Sequence, residues 1–482
     1  MLVRILKRHF WRFLLRKNSI LFKTILLFLS AAFFALSEPS PFFRDGLSFL
    51  AWFAYVPYFL LLDRISVKNS FIWGALYGFF SYLLLCHWLI SFGITALLFV
   101  CFLFAFYNSV LFFLNTFLKN KLPEKINGYF WIIRVLTVLV FEVLRTHGLF
   151  GFSYGIIGYS QWKNPAMLKF ASVFGVFGVT FVILFFNSAV EKGGRKTLPA
   201  VSLVLGIFLF WGVSSLLPQK KSSEKLRIAL IQNASSASSG SISDFEKDAE
   251  LLKNLTDRAL TENPGTELVV WAETAVVPSI LYHLENSKDK RRHALSEKLM
   301  SFLKSKNCAF LIGNNHIDSE GNHNSAVFIS PESEKIEVYN KNHLVPFTEF
   351  WPSFLDYKIF DGIKSSLGCD FFVKGDEIKV FSLKNLKFAV PVCFEDSFQP
   401  LIRKMKRAGA DFFVNISDDA WSHSEAEQNI HLSMCVFRAA ETSSVIIRST
   451  IDGKTCVIDR NGKILSEIES GTDGFLCAEI EI

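Results

Sequence analysis

The sequence predicts a multi-pass α-helical membrane bundle joined to a layered α/β domain, and three observations carry that prediction. Hydrophobic residues make up 51% of the 482 positions, with 52 Phe, and they crowd into the stretch before about residue 218. The remainder has the composition of a water-soluble domain, so the chain reads as a membrane half followed by a soluble half. In the first half, apolar runs reach the length of about 20 residues that a helix needs to cross a bilayer core. In the second, short apolar strands alternate with helical patterns, and antiparallel pairs are mixed in. A chain this long has room for two or three domains.

Seven candidate spans follow one another at about 19–36, 43–62, 70–91, 94–118, 128–146, 164–187 and 199–217. Arg44 and Asp45 blur the start of the second, and the fifth, with Arg134, Glu142 and Arg145, is the least apolar. The first span is not a cleavable signal peptide, because its leading segment is long and SEPSPF offers no good small-residue cleavage site. Lys and Arg accumulate in cytoplasmic loops. Here they stand at Arg4, Lys7, Arg8, Arg12, Arg16 and Lys17, at Arg64 and Lys68, at Lys119, Lys121 and Lys125, and at Lys192, Arg195 and Lys196. These are alternate loops, so the N-terminus is expected in the cytoplasm, and an odd number of spans delivers residue 219 onward to the outside. The stretch VRILKRHFWRFLLRKN reads equally as an interfacial amphipathic helix or as a basic tail. Glu142 and Arg145 lie near the external end of their span, and charged groups at that depth face protein or water rather than lipid. They either pair with each other or line an opening through which a lipid enters.

The membrane domain is expected over 1–218, a linker over 219–225 and the soluble domain over 226–482. Strands are expected at LRIALIQ (226–232), ELVVWAE (267–273) and CAFLIGN (308–314), with helices at about 244–262 and 288–306. NSAVFIS and KIEVYNK form a hairpin pair, and IKVFSL and KFAVPVCF are further strands. A helix (398–408), ADFFVNIS, a helix (425–442), SSVIIRST and KTCVIDR complete the pattern.

The net charge of +7 comes largely from short loops between apolar runs, and the soluble half has no basic stripe with interleaved aromatics, which argues against nucleic acid as a partner. None of the 8 cysteines forms a CxxC pair, so neither a zinc ribbon nor a thioredoxin-like motif is supported, and a dense disulfide framework is not expected. His431 and Cys435 lie four apart on an expected helix, a spacing compatible with metal binding, but core packing or capping is the favoured reading.

Three strand ends carry polar groups that a structural strand does not need. Glu273 follows the apolar run of WAETAVVP, Lys341 follows a strand in YNKNHLVPFTEF with Glu349 beyond it, and Cys393 ends a strand in PVCFED. Loops beyond strand ends are where α/β sheets build sites. Together the three residues supply a base, a cation and a nucleophile. A thiol is mostly protonated at neutral pH and must lose its proton to attack a carbonyl, a task for a buried carboxylate. The oxygen of the tetrahedral intermediate then needs positive charge beside it, which a lysine supplies.

WAET, YNKNHLVPFTE, PVCFED, NISDDAW and RAAE stand in the order of the Glu–Lys–Cys triad of the nitrilase (carbon-nitrogen hydrolase) superfamily, which the soluble half resembles. In the membrane half, LSEPSPFFRDGLSFLAWFAYVPYFLLL and LRTHGLFGFSYGIIGYSQ resemble the apolipoprotein N-acyltransferase family, whose members are membrane-integral nitrilase-fold enzymes of bacterial lipoprotein maturation. The match covers nearly the whole chain.

The resemblance implies a nitrilase-like αββα sandwich on the periplasmic side of a bacterial inner membrane. It implies that Cys393 takes an acyl chain from a membrane phospholipid, phosphatidylethanolamine being the expected donor. The α-amino group of an S-diacylglyceryl cysteine at an apolipoprotein N-terminus is the expected acceptor, in the last step of lipoprotein maturation. Glu273 would be the general base and Lys341 the oxyanion partner, with Glu349 and Glu395 ordering the site. One nucleophile shared by two half-reactions implies ping-pong kinetics. No cofactor and no metal is expected, and the chain is expected to work as a monomer. The sequence departs from the family pattern at Phe394, where the family carries tyrosine, and in 233–243, where it carries a tryptophan. The usual final transmembrane helix is not seen before the terminal CAEIEI, so the C-terminus is expected outside. Two other readings stay open: a membrane-tethered amidase using the same triad, and a non-catalytic protein that binds lipid or lipoprotein.

Overall fold

The computed structural model describes residues 19–148, 150–216, 224–234, 240–333, 335–353, 356–358, 362, 364 and 372–482. The basic stretch VRILKRHFWRFLLRKN, most of the linker and residues 235–239 of the polar stretch after the first strand lie outside them. Two compact units are present, Met1–Leu217 with Ser422–Ser433, and Pro218–Trp421 with Met434–Ile482.

In the first unit, helices run over Ile20–Ser37, Ala51–Leu62, Val67–Leu85, Ile94–Lys121, Phe130–Leu144, Pro165–Lys192 and Thr197–Leu216, one on each predicted segment. Among the described residues, Ile20–Ser37, Ile94–Lys121, Pro165–Lys192 and Thr197–Ser215 are long and apolar enough to cross a membrane. Ala51–Leu62 and Phe130–Leu144 are shorter than the runs predicted for them, about 18 and 22 Å at 1.5 Å per residue. The reasons are local. Residues 43–47 turn around Gly46 at φ 76°, and a 3-10 turn at Ser48–Leu50 precedes the second helix. The fifth stops at Arg145, whose guanidinium leaves the helix to bond the carbonyls of Phe152 (2.8 Å) and Tyr154 (2.9 Å).

Large apolar side chains such as Phe53, Phe99, Phe102, Phe106, Leu209 and Phe210 are exposed on this unit, whereas polar ones turn inward. Asn187, for example, is fully buried, accepts the Tyr55 N–H (2.9 Å) and donates to the Ala51 carbonyl (3.0 Å). That distribution suits a bundle whose solvent is lipid. Several of its charges are paired internally. Asp63 accepts from Lys119 (2.7 Å) and Lys192 (2.6 Å), Arg134 bonds Glu191, and Arg145 donates to Glu142 at 2.7 Å. The Glu142–Arg145 pair borders a cavity of about 30 Å³ lined also by Tyr55, Tyr77, Tyr82 and Asn108, room for about one water.

The second unit holds two six-stranded sheets. The first runs in the order β12-β1-β2-β3-β4-β5, with β1 Lys225–Gln232, β2 Leu268–Val276, β3 Ala309–Ile317, β4 Asn322–Ile329, β5 Glu337–Asn340 and β12 Gly474–Glu481. The other runs β11-β10-β9-β8-β7-β6, with β6 Val380–Leu383, β7 Leu386–Ala389, β8 Phe412–Asp418, β9 Ile446–Ile451, β10 Cys456–Ile458 and β11 Ile464–Glu467. β1, β2 and β3 pair in parallel, as do β7, β8 and β9. Central strands such as β2 and β8 are buried along nearly their whole length, which is why they read as continuous apolar runs rather than alternations. Helices Ile242–Glu262 and Lys290–Lys304 cover the first sheet, packing Phe245, Leu252, Leu255, Leu295, Leu299 and Leu303 onto Val269, Trp271, Phe310 and Ile312. Ser241 and Asp244 form a capping box at the start of one, and Asp289 caps the other. Helices Gln399–Arg407 and Glu425–Thr442 are the crossovers that parallel pairing of β7, β8 and β9 requires. The result is an αββα sandwich.

Three expectations need correction here. KFAVPVCF is a strand only to Ala389, so Cys393 lies beyond it in a 3-10 turn, Cys393–Ser397. β2 runs on to Val276, so Glu273, expected as the last residue of its strand, stands inside it. KTCVIDR contributes only Cys456–Ile458, and β11 and β12 complete the sheets from a segment in which no strand was expected. β12 alternates weakly because it is an edge strand, and such a strand is decided by its partner β1.

Candidate active site

Backbone geometry brings the candidate residues together. Along β2 and β3, Trp271 pairs with Ile312 and Val276 with Asn314, so residues 272–275 bulge opposite Gly313 alone. A Cβ at Gly313 would meet the Ala272 oxygen at 2.2 Å and the Glu273 Cα at 2.5 Å, so glycine is what permits the bulge. Thr274, at φ 47°, turns the strand just after Glu273. Asn314 then fixes the exit by donating to the carbonyls of Val276 (2.7 Å) and Pro278 (3.0 Å).

Lys341 follows β5 and is 1% exposed, so its ammonium must find partners inside the protein. It donates to Glu349 Oε1 at 2.8 Å and to Glu273 Oε1 at 3.3 Å. Asn324 on β4 donates its Nδ2 to the same two oxygens, at 2.7 Å for Glu273 and 2.9 Å for Glu349. The second Glu273 oxygen accepts the Asp418 N–H at 2.8 Å, and that of Glu349 accepts the Val345 N–H at 2.7 Å. Two carboxylates thus share a lysine and an asparagine, each oxygen with a defined donor. Burial opposes the ammonium, but Glu273 and Glu349 outweigh it and hold Lys341 well above its ordinary pKa. It stays a cation throughout the working range.

Cys393 opens its 3-10 turn at φ 53°, a left-handed conformation rare for a residue with a Cβ. Strain of this kind gathers at functional sites. Burial pushes the thiol pKa up, Glu273 adds to that, and Lys341 pulls it back. The net direction is upward, so the resting thiol carries its proton and a base must remove it.

Glu395, two residues on, is fully buried and saturated with donors. It accepts from the Tyr339 hydroxyl (3.0 Å), from the N–H groups of Asn342 (2.7 Å) and His343 (3.0 Å), and from that of Val392 (2.9 Å). It therefore ties the turn after Lys341 to the turn that carries Cys393. Phe394 is half-buried and packs edge-on against Phe398 (5.0 Å), which meets the His343 ring at 4.6 Å. His431 and Cys435 are buried on helix Glu425–Thr442, where the Cys435 thiol lies against Arg448. Among the described residues, no group of three His, Cys, Asp or Glu is arranged to hold a metal.

Burial raises Glu395 to about 7, against the pull of its backbone donors. A carboxyl raised on folding contributes stability that is complete below its ordinary pKa and is lost as pH rises through about 7. The melting temperature of the wild type should therefore fall relative to Glu395→Gln between pH 5 and pH 8, by an amount corresponding to about 2–3 kcal/mol. A difference that does not vary with pH would remove this assignment.

All six candidates lie in the second unit, and five of them are tied together by hydrogen bonds or electrostatics, while Phe394 contributes packing. Sequence reasoning missed Asn324, the Asp418 amide and a buried network behind Cys393 made by Asn415, Asp419, Asp396 and Arg448. Asn324, Asn415 and Arg448 leave a trace in the sequence, each as a polar residue on an otherwise apolar strand.

Comparison with known proteins adds two matches that together span most of the chain. Residues 19–189 match the family model described as apolipoprotein N-acyltransferase N-terminal domain, and residues 227–482 match that of carbon-nitrogen hydrolase. The chain is 32% identical to apolipoprotein N-acyltransferase 1 of Treponema denticola, over 97% of this chain and 92% of that one. It is 33% identical to apolipoprotein N-acyltransferase 1 of Treponema pallidum, over 95% and 89% respectively. The apolipoprotein N-acyltransferase of Borreliella burgdorferi is 26% identical over 93% and 87%.

Proposed function

This chain belongs to the apolipoprotein N-acyltransferase family, and from that premise we propose that Cys393 carries an acyl chain from a membrane phospholipid to the N-terminus of a diacylated lipoprotein. An acyltransferase of lipoproteins that resides in a membrane is what the family and the apolar helices support. The finer reading rests on one observation. Glu273 and Lys341, locked together by Glu349 and Asn324, both act electrostatically on a strained, protonated cysteine.

In the first half-reaction Glu273 takes the thiol proton and the sulfur attacks the ester carbonyl. Charge developing on the carbonyl oxygen is balanced by the Lys341 ammonium. The C–O bond breaks, the lysophospholipid alkoxide takes the proton from Glu273, and a thioester remains on Cys393. In the second, the α-amino group of the S-diacylglyceryl cysteine attacks that thioester. Its proton passes to Glu273, an amide forms, and as the C–S bond breaks Glu273 gives that proton to the sulfur, restoring the thiol and the carboxylate. Phosphatidylethanolamine is the proposed donor, and the alternation of two substrates on one sulfur makes the kinetics ping-pong.

The test uses the purified full chain. Incubation with phosphatidylethanolamine should add the mass of one acyl chain to the Cys393 peptide, and a diacylated lipopeptide should remove it as the N-acylated product. Release of free fatty acid without N-acylated peptide would replace transfer by hydrolysis. We further propose seven spans in a bacterial inner membrane with the second unit periplasmic, since basic residues recur in alternate loops. A reporter that works only in the cytoplasm should be inactive when fused at Ile482, and a working one would overturn that orientation.

A further inference from the structure

We propose that Arg448 is a positioning residue for the nucleophile turn, holding it from both flanks through Asp396, Asn415 and Asp419. The proposal rests on Cys393 being the acyl-accepting thiol. Arg448 stands on β9, two strands from β7, and is 0% exposed. One guanidinium nitrogen bonds Asp396 at 3.1 Å and also the Asn415 side-chain oxygen. The other terminal nitrogen bonds Asp419 at 2.8 Å. Asp396 lies within the 3-10 turn that Cys393 opens. Asn415 uses its amide nitrogen to hold the carbonyls of Pro391 (3.0 Å) and Cys393 itself (3.3 Å). Asp419, beyond the end of β8, accepts from the Ser417 hydroxyl at 2.7 Å and pushes the Cys393 thiol up by its charge.

The links through Asp396 and Asn415 therefore end on the turn that Cys393 opens and on its own carbonyl, and Asp419 acts on its sulfur through charge. A left-handed cysteine outside any strand ladder needs such support, because its conformation costs energy that the surroundings must supply. The planar fork of an arginine holds two carboxylates and an amide oxygen in one fixed geometry, which the compact, rotatable ammonium of a lysine does not impose. Gly453 makes room for the arrangement: a Cβ there would meet Asp419 Oδ2 at 2.4 Å.

The charges also matter. Groups facing the thiol are Glu273 from β2, Lys341 after β5 and Asp419 after β8. Those facing the guanidinium are Asp419, Asp396, Cys435 from helix Glu425–Thr442 and Cys456 from β10. Burial pushes both of those thiols up, Cys456 to about 12, so they stay neutral and one cation faces two carboxylates. Arg448 thus bonds the carboxylate of Asp419, whose charge raises the Cys393 thiol.

The experiment takes the detergent-solubilised full chain and reads two quantities. For Arg448→Lys, the rate of acylation of Cys393 by phospholipid should fall about 100-fold, while KM for a diacylated lipopeptide stays within about threefold. For Asp419→Asn, the midpoint of the pH profile for alkylation of Cys393 by iodoacetamide, followed on its own peptide, should fall by about one pH unit. A folded Arg448→Lys protein that acylates at the wild-type rate overturns the proposal. Should that variant not fold, the isosteric Asp419→Asn decides alone, and an unmoved midpoint overturns it. Alkylation needs no lipid, so a wild type that never acylates would sink the proposed function while leaving this arm readable.

Discussion

Cys393→Ala should give a folded protein that takes up no acyl group from phospholipid and forms no N-acylated lipopeptide, a loss of at least about 10⁴-fold. The size of the effect follows from the role. If the sulfur carries the acyl chain between two substrates, no second group can inherit the task, because Glu273 and Lys341 are committed to each other and to Glu349. Stability should change by less than about 1 kcal/mol, since alanine meets the left-handed conformation at residue 393 as cysteine does. Cys393→Ser should also fold and lose nearly all of the rate, because a hydroxyl gives up its proton far less readily than a thiol. Mass spectrometry of the 393 peptide after exposure to lipid checks all three proteins. An acyl adduct elsewhere in Cys393→Ala, with transfer retained, would move the nucleophile to another residue.

Lys341→Met is expected to have the next largest effect, and on two observables at once. It removes the only cation that the Glu273 and Glu349 carboxylates share among the described residues. Breaking a buried pair by deleting one partner costs about 3–5 kcal/mol, because the remaining charge stays buried without compensation. For a domain of this size that is a fall of roughly 10 °C in melting temperature. Transfer should fall at least about 10³-fold, as charge on the tetrahedral oxygen loses its partner. The double variant Lys341→Met/Glu349→Gln separates the two effects, for it removes one unpaired carboxylate without restoring a cation. Its melting temperature should recover by several degrees while its activity does not. Recovery of both would mean that Lys341 acts only by holding the site together.

Much of the site was legible because its chemistry stands on segments with strong local signals. WAET, YNKNHLVPFTE and PVCFED each follow an apolar run, and polar residues at such points call for an explanation other than packing. What could not be read was how these segments close on one another. The bulge at residues 272–275 depends on Gly313 in the neighbouring strand, and nothing near Glu273 announces it. Asn324, Asn415 and Arg448 are polar residues on strands that look merely apolar, and each becomes meaningful only through a partner at least 24 positions away. The short helices Ala51–Leu62 and Phe130–Leu144 carry the same lesson in the membrane unit. Hydropathy counts apolar residues, but a helix ends where a side chain such as Arg145 finds better partners outside it.

By itself the sequence determined the membrane and soluble halves, the alternation of strands and helices, and the identities and order of Glu273, Lys341 and Cys393. The first two are properties of composition and period, which burial in lipid or in a core imposes residue by residue, while the three residues rest on polar groups at strand ends and on motifs whose order resembles a known family. Tertiary structure alone decided that Glu273 shares Lys341 with Glu349, that Glu395 ties the two turns together, and that Cys393 sits past its strand with φ at 53°. The physical reason is that buried charge and backbone strain are stable only where distant segments supply the compensating hydrogen bonds. Such compensation belongs to the folded chain and to no stretch of it.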